Sequence, residues 1–285
     1  MFDALLKYEF LRNAVWAGLF ASLLSGVIGV IIVEKKLVMM SGGIAHTAYG
    51  GVGLGYLMGF EPILGAFAFS LAAALGVGWL RRRGGSRPDV TISLFWSLGM
   101  ALGILFIALT PGYPPDLTSY LFGGILSVTR TDLMLMATLT VVVIALVAAL
   151  YNDWKAYLFD DEFAQIAGMN TVLLENLLLG LIAATVVVLI RSVGIILSLA
   201  LMTAPAATAA LFSGSLRGRM AWAVALGAGS CLIGLWISYR MNVASGAAIV
   251  IVSVAIYLVA CAVRRLAHRN GRACAELAGE GEPKA

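Results

Sequence analysis

A histidine in the middle of an apolar, glycine-rich run is the residue of this sequence best suited to chemistry. The run covers residues 39–51, reads MMSGGIAHTAYGG, and holds His46, one of only two histidines in the chain. No Asp, Glu, Lys or Arg occurs between Lys36 and Glu61. An ionisable side chain inside a membrane is costly and indicates a functional site by default. The alternative is a structural histidine, hydrogen-bonded in a helix interface, that fixes the packing of segment 37–59.

The composition places this histidine in a membrane protein. Apolar residues make up 61% of the chain and charged residues 12%, and the mean hydropathy is +0.97. The charges are bunched between apolar stretches long enough to cross a hydrocarbon core of about 30 Å at about 1.5 Å per residue. These stretches are continuously apolar, whereas the strands of a membrane barrel alternate. The sequence therefore predicts an all-α, polytopic helical protein of the lipid bilayer, with no removed signal peptide at its start.

We predict one transmembrane domain over residues 1–264 and a disordered, polar cytoplasmic tail over 265–285. Nine hydrophobic segments predict the helices of this domain, near 13–33, 37–59, 62–80, 90–110, 133–150, 172–190, 193–212, 221–239 and 244–263. Only Arg191 and Ser192 separate the sixth segment from the seventh, so the number of crossings is eight or nine. Pro205 should kink the seventh segment, because it removes a backbone hydrogen-bond donor.

The lysines and arginines in the short loops predict which side of the membrane each loop faces. If the loop with Arg81, Arg82 and Arg83 lies inside the cell, fourteen of the nineteen basic residues lie inside and five outside. Cytoplasmic loops of membrane proteins carry such an excess of basic residues. The N-terminus is therefore predicted outside and the C-terminus inside. The net charge of +4 comes from these flanking residues and does not indicate a nucleic-acid partner.

Two loops stand out by their length. The outer loop, residues 110–132, contains three prolines and a short apolar run at 120–126, which predicts a structured cap. The inner loop predicts a short amphipathic helix over 160–168, with three acids at its dipole-positive start and a glycine at its end. Helices that rest on a membrane surface are usually basic, so an acidic one favours a protein partner. Its candidate partner-binding residues are Asp160, Asp161, Glu162 and Phe163.

The motifs of several other kinds of chemistry are absent from the sequence. It contains no GxxxxGK[ST], GxSxG, HExxH or CxxC motif, and its three cysteines show no zinc-ligand spacing. No second histidine lies in a membrane segment, and no series of intramembrane carboxylates is present to relay protons. The chain is therefore predicted not to be an enzyme and to bind no cofactor. It is predicted to form a transport pathway whose energy comes from elsewhere.

Five stretches carry a resemblance to a known family. They are FLRNA at 10–14, GGIAH at 42–46 leading into GGVGLG at 50–55, YLFGGILSV at 120–128, FDDEFA at 159–164 and ALMTAPAATA at 200–209. In this order and spacing, from about Phe10 to Val263, the chain resembles the permease subunit of the ABC-type zinc, manganese and iron importers, the ABC-3 family. The resemblance implies the fold of an ABC importer permease, a homodimer in a prokaryotic cytoplasmic (inner) membrane, and a divalent metal as substrate.

The same resemblance implies the partners. Two copies of a separate ATPase subunit would bind ATP in the cytoplasm and contact the helix at 160–168. An extracytoplasmic metal-binding protein would deliver the metal and meet the outer loop at 110–132. Both roles agree with the sides of the membrane that the basic residues predict for these loops.

The sequence departs from the family pattern at two positions. Many members have a carboxylate four residues before the histidine, where this chain has Gly42, and an acid before the last helix, where it has Asn242. The remaining candidate ligands on the metal path are neutral: His46, Ser41, Tyr49 and Asn242. Dications usually prefer ligands with some negative charge, so binding would be weak, and a permeating ion must leave as well as enter. Imidazole with neutral partners favours zinc slightly over manganese.

Two other classes of function remain open at this point. One is an ABC permease for a metal chelate or a cofactor, such as a siderophore or cobalamin, which would need a wide cavity and typically a longer chain. The other is a membrane-embedded enzyme. It would require a second catalytic group near His46, and the candidates in that segment are Ser41, Thr47 and Tyr49.

Overall fold

The protein is described by a computed structural model over residues 8–82, 88–112 and 123–279. Within those ranges its regular elements are helices, joined by short links. In chain order they are α1 (Glu9–Glu34), α2 (Val38–Met58), α3 (Pro62–Arg82), α4 (Pro88–Leu109), α5 (Arg130–Ala149), α6 (Tyr151–Phe159), α7 (Asp161–Ile166), α8 (Thr171–Val193), α9 (Ile195–Phe212), α10 (Leu216–Met241) and α11 (Ser245–Gly279). A 3-10 turn, Ile125–Ser127, precedes α5.

Eight helices of the described ranges are long and apolar enough to cross a membrane: α1, α3, α4, α5, α8, α9, α10 and the first part of α11. The 21-residue α2 lies outside this set, because polar residues and glycines lower its hydropathy. It is instead enclosed by the other helices, and most of its residues are buried. The prediction of an all-α polytopic membrane protein with eight or nine membrane helices is confirmed.

Helices α1 and α8 form the centre of the molecule. In their most apolar windows 67% and 72% of the residues are buried, compared with 17% for α11. Helix α8 contacts α1, α2, α3, α5 and α9, while α2 packs against α3 on one side and α4 on the other. The helix that carries the histidine is therefore held inside a bundle, with its polar groups shielded from lipid.

Helix α2 approaches its neighbours closely because glycines stand at the contacts. A Cβ atom on Gly51 would overlap the backbone of Gly65 in α3. A Cβ on Gly99 of α4 would lie 2.5 Å from the Cα of Thr47, which is nearer than two carbons pack. Small residues of this kind let membrane helices meet backbone to backbone.

A glycine also sets the break between α8 and α9. Gly194 has φ 85° and ψ 167°, a conformation open almost only to glycine. Gly123, with φ 61°, lies against this break, since a Cβ there would overlap the backbone of Val193. The segment before the 3-10 turn is thereby tied to the end of α8. Residues 113–122, with part of the apolar run expected in the outer loop, lie outside the described residues.

The last helix continues to Gly279, whereas the sequence analysis expects a disordered tail from residue 265. Residues 265–279 are rich in Ala and Arg, which favour the helical state. Residues 280–285 lie outside the described residues. Pro205 lies inside α9, and the helix continues through it.

Candidate functional site

His46 lies near the middle of α2 and is half-buried among buried neighbours. Its ring stacks on the indole of Trp96 in α4, with ring centroids 4.1 Å apart and an angle of 10° between the ring planes. The Nδ1 atom is buried and has no hydrogen-bond partner among the described residues. A buried imidazole nitrogen without a partner is available to a ligand that can be coordinated or hydrogen-bonded.

The turn that carries His46 is fixed by the next residue. The Thr47 hydroxyl donates within α2 to the Gly43 carbonyl at 2.8 Å and also reaches the Phe95 carbonyl of α4 at 3.1 Å. A threonine that bonds the carbonyl of the preceding turn leaves no unsatisfied polar group inside the bundle. Together with the close contact at Gly99, this bond holds α2 and α4 in register where His46 meets Trp96.

Gly42 lies one turn before His46 on the same face of α2. A Cβ atom on Gly42 would meet the Trp96 ring at 3.8 Å, which is ordinary van der Waals contact. The position could therefore hold a side chain without displacing the backbone. Lack of space for a Cβ atom therefore does not explain why residue 42 is a glycine and not an acidic residue.

The other residues predicted on the metal path lie in different surroundings. The Ser41 side chain is buried, and its hydroxyl donates to the Val38 carbonyl at 2.8 Å. Tyr49 is one turn after His46 on the same face, buried against Gly103 of α4. Asn242 follows the end of α10 in the left-handed conformation, with φ 52°, and is exposed. No hydrogen bond or ring contact joins it to His46.

The structure thus brings Gly42, His46 and Tyr49 onto one face and leaves Asn242 at the end of another helix. In the part of the chain that the structure describes, no three His, Cys, Asp or Glu side chains are grouped closely enough to hold a metal. One imidazole with neutral neighbours can act as a transient ligand but does not form a tight resident metal site. The path-lining roles of these residues remain predictions.

Two carboxylates meet one guanidinium at the end of α8. Arg191 Nε donates to Asp132 Oδ1 at 2.6 Å, and Arg191 Nη1 donates to Glu61 Oε1 at 2.7 Å. These three residues, the Arg191 cluster, join the starts of α3 and α5 to the end of α8. They line a cavity of about 380 Å³ that also reaches Val52 and Tyr56 of α2. The cavity leads from this end of the bundle toward the helix that carries His46.

A second charged group lies at the opposite end of α8. Arg81 and Arg82 of α3 both donate to Glu175, the Arg82 Nη1 atom at 3.0 Å from Oε2. The Glu175 side chain is only 9% exposed, so these hydrogen bonds compensate the loss of its hydration. The Glu175 cluster, defined by these three residues, lies about 24 Å from the Arg191 cluster at the usual rise of a helix.

Lys35, between α1 and α2, extends the Glu175 cluster toward α6 and α7. Its Nζ atom lies 3.7 Å from the centroid of the Tyr157 ring and 3.5 Å from Asp161 Oδ1. Burial lowers the pKa of Lys35, and the negative charge of Asp161 opposes that change. Burial and the negative charge of Glu175 raise the pKa of Tyr157 to about 12. The Tyr157 hydroxyl group therefore stays protonated at neutral pH.

The four residues predicted to bind a partner surround the start of α7. Asp160 caps the helix, because its Oδ1 accepts hydrogen bonds from the backbone N–H groups of Glu162 and Phe163. Asp161 is paired with Lys35 inside the chain. Phe163 is 63% exposed and Ile166 85% exposed in the described part of the chain. The partner role of this surface remains a prediction.

The sequence analysis did not identify Trp96, Lys35 or the two charged clusters. Trp96 is one of six tryptophans and has no local pattern that distinguishes it. Glu175, however, lies inside the predicted segment 172–190, and an acid within such a segment is a signal in itself. Asp132 gave a weaker indication of a functional role, because it directly precedes the predicted segment 133–150 and does not lie inside it.

Comparisons with known proteins agree with this architecture. A family model described as the ABC 3 transport family matches residues 7–264. An uncharacterised membrane protein of Synechocystis sp. is 45% identical over 91% of this chain and 92% of its own length. The manganese transport system membrane protein MntC of Listeria monocytogenes is 35% identical over 90% of this chain and 92% of its own length.

Among solved structures, PsaBC from Streptococcus pneumoniae in complex with a Fab is 30% identical, with a TM-score of 0.83. The match covers 91% of this chain and 93% of the other. Both the family model and the relatives thus extend over nearly all the helices described above, including α2 and α7. This chain belongs to the ABC 3 transport family.

Proposed function

We propose that this chain is the membrane-spanning subunit of an ATP-driven importer that brings a divalent transition metal into the cytoplasm. The observation that carries the proposal is the likeness over nearly the whole chain to MntC, a manganese transport protein, at 35% identity. Manganese is accordingly the first metal to test. This choice differs from the slight preference for zinc that a single imidazole with neutral partners suggests.

The geometry of α2 supports a transport path at His46. The helix falls below the hydropathy of the eight candidate membrane spans, it lies inside the bundle, and the His46 Nδ1 atom lacks a partner among the described residues. A lone neutral imidazole binds a dication weakly, which suits a site that the ion must leave. Capture from dilute solution would then be the task of an extracytoplasmic binding protein.

The energy source and the partners belong to the same proposal. The chain has no phosphate-binding loop, so ATP would be bound by two copies of a separate ATPase subunit. Asp160, Glu162 and Phe163 at the start of α7 would contact that subunit. The metal path would be completed by a second copy of this chain in the inner membrane.

The orientation follows from the two charged ends. Arg81 and Arg82 lie in the Glu175 cluster, and the basic residues around them exceed those at the other end. The excess of basic residues supports a cytoplasmic location for this end. The Arg191 cluster and its cavity would then face outward, toward the binding protein.

A growth experiment tests the proposed function. The chain is expressed with its ATPase and binding protein in a bacterium that lacks its own manganese, iron and zinc importers. We expect growth to be restored at low manganese concentration, with the metal content of the cells rising accordingly. If growth is restored by none of the three metals, the proposal is overturned. Uptake restricted to a metal chelate would overturn it as well.

A further inference from the structure

Lys35 is the side chain through which the solvent-exposed helix α7 reaches the link between α1 and α2. The Lys35 side chain is only 13% exposed, although lysine is normally a surface residue. Its ammonium group stands over the Tyr157 ring of α6 and beside the carboxylate of Asp161 in α7. A lysine held by both a ring face and a carboxylate has a defined position, unlike a solvated lysine.

The link that contains Lys35 is short and rigid. Three residues join α1 to α2, and each has its backbone N–H group hydrogen-bonded to a carbonyl of the last turns of α1. The Lys35 N–H donates to Ile31 at 3.0 Å, and the Leu37 N–H donates to Ile32 at 2.8 Å. Lys36 adopts the left-handed conformation, with φ 57°, and its N–H donates to the Val33 carbonyl at 3.1 Å.

The start of α2 is tied to the same link. The Leu37 side chain is buried, and its carbonyl accepts the N–H of Ser41 at 3.0 Å, continuing the hydrogen-bond ladder into α2. His46 lies two and a half turns further along this helix at the usual pitch. A displacement of Lys35 would therefore reach the first turn of α2, because all three N–H groups of the short link are hydrogen-bonded.

Tyr157 extends the connection to a third helix. Its ring faces Lys35, and its hydroxyl group interacts with Arg81, which is itself paired with Glu175 of α8. Helices α6 and α7 are thus joined by charged and aromatic contacts to the link before α2 and, through Arg81 and Glu175, to α3 and α8. A contiguous chain of contacts of this kind can carry energetic coupling between two sites.

We propose that Lys35 is a positioning residue that couples the movement of α7 to the path helix α2. The proposal rests on the proposed function, in which α7 is moved by the ATPase subunit and α2 carries the metal ligand. Lys35 touches neither the metal nor the nucleotide. It acts through Asp161 and Tyr157 on one side and through the rigid link to α2 on the other.

The neighbouring Lys36 provides a matched control. It has the same charge and lies in the same link, but its side chain is exposed. Lys35→Met removes the ion pair and the ring contact while keeping most of the side-chain volume. Lys35→Arg keeps the positive charge, and an arginine can also stack on the tyrosine ring.

The test uses the complex of this chain with its ATPase and binding protein in proteoliposomes. We expect Lys35→Met to assemble normally and to hydrolyse ATP at the basal rate. Its manganese uptake per ATP hydrolysed should fall at least tenfold, while Lys35→Arg and Lys36→Met keep at least half of the normal ratio. A normal ratio in Lys35→Met would overturn the role of Lys35, as would equal losses in Lys35→Met and Lys36→Met.

A second readout does not depend on the metal. A cysteine in place of Met39, an exposed residue in the first turn of α2, reports on movement of that turn through its rate of thiol labelling. Addition of ATP should change this rate in the complex, and Lys35→Met should remove the change. If the complex with the wild-type chain imports no metal but still shows this response to ATP, the proposed function fails and the coupling stands. If Lys35→Met leaves the response intact, the coupling fails.

Discussion

The stacked pair of His46 and Trp96 is the most specific local feature of the path helix. The indole covers one face of the imidazole at a centroid distance of 4.1 Å, and the Nδ1 atom is left without a hydrogen bond. In a low-dielectric interior an unpaired polar atom is unfavourable by about 1–3 kcal/mol. A buried polar atom without a partner calls for an explanation such as a bound ion or a functional role, which agrees with a ligand role for His46.

Gly42 offers a direct way to strengthen the site. Gly42→Asp would place a carboxylate one turn before His46, in the space beside Trp96. We expect the affinity for manganese to rise about tenfold, or ~1.4 kcal/mol, because a charged oxygen joins the imidazole. Uptake at saturating metal should slow, since the ion leaves the site less readily. Calorimetric titration of the purified protein and initial uptake rates measure the two effects.

Gly42→Asn is the matched control for this substitution. It has nearly the shape of Gly42→Asp but no charge, so it should leave the affinity close to that of the wild-type chain. Equal affinities for manganese in all three proteins would contradict a metal position between residue 42 and His46.

At the scale of elements, the Glu175 cluster fixes α8 to α3 inside the bundle. Glu175→Gln removes one carboxylate and leaves Arg81 and Arg82 without their buried partner. Both guanidinium groups are partly exposed and can be hydrated, so we expect a loss of about 1.5–3 kcal/mol and a distinctly lower unfolding temperature in detergent. Asp89→Asn changes an exposed carboxylate and should not shift the unfolding temperature by a comparable amount. Equal unfolding temperatures for Glu175→Gln and the wild-type chain would contradict the role given to this cluster.

Helix α7 divides its acids between two tasks. Asp161 is held by Lys35 within the chain, whereas Glu162 lies on the exposed side with Phe163 and Ile166. We expect Glu162→Lys combined with Phe163→Ala to abolish co-purification of the ATPase subunit without lowering the amount of this chain in the membrane. Retention of the ATPase by this variant, with normal stimulated ATP hydrolysis, would refute the assignment of the surface.

The elements show which features the sequence could predict. The continuous apolar stretches predicted an all-α membrane fold because the bilayer leaves helices as the only solution for such segments. Trp96 and Lys35 could not be predicted, because their partners are more than forty residues away in the chain and are set by how α2, α4 and α6 pack. Asn242 was placed on the path by a matched motif, and the structure puts it at the exposed end of α10.

At the scale of the whole molecule, the two charged ends make the orientation testable. Ser215 lies between α9 and α10 and Val243 between α10 and α11, and both are exposed. In a chain whose native cysteines are replaced, Ser215→Cys should react with a membrane-impermeant reagent only from the cytoplasm, and Val243→Cys only from outside. The reverse pattern would contradict the predicted orientation, and labelling of both from one side would contradict a membrane-spanning α10.

We propose a metal path through this chain on which His46 is a ligand. It is tested most directly by manganese uptake into proteoliposomes that contain the chain, its ATPase and its binding protein. We predict ATP-dependent accumulation by the wild-type chain and by the control Met39→Ala, which alters an exposed residue of the same helix. For His46→Ala we predict an initial rate at least tenfold lower, with unchanged assembly. A wild-type rate in His46→Ala would contradict the claim.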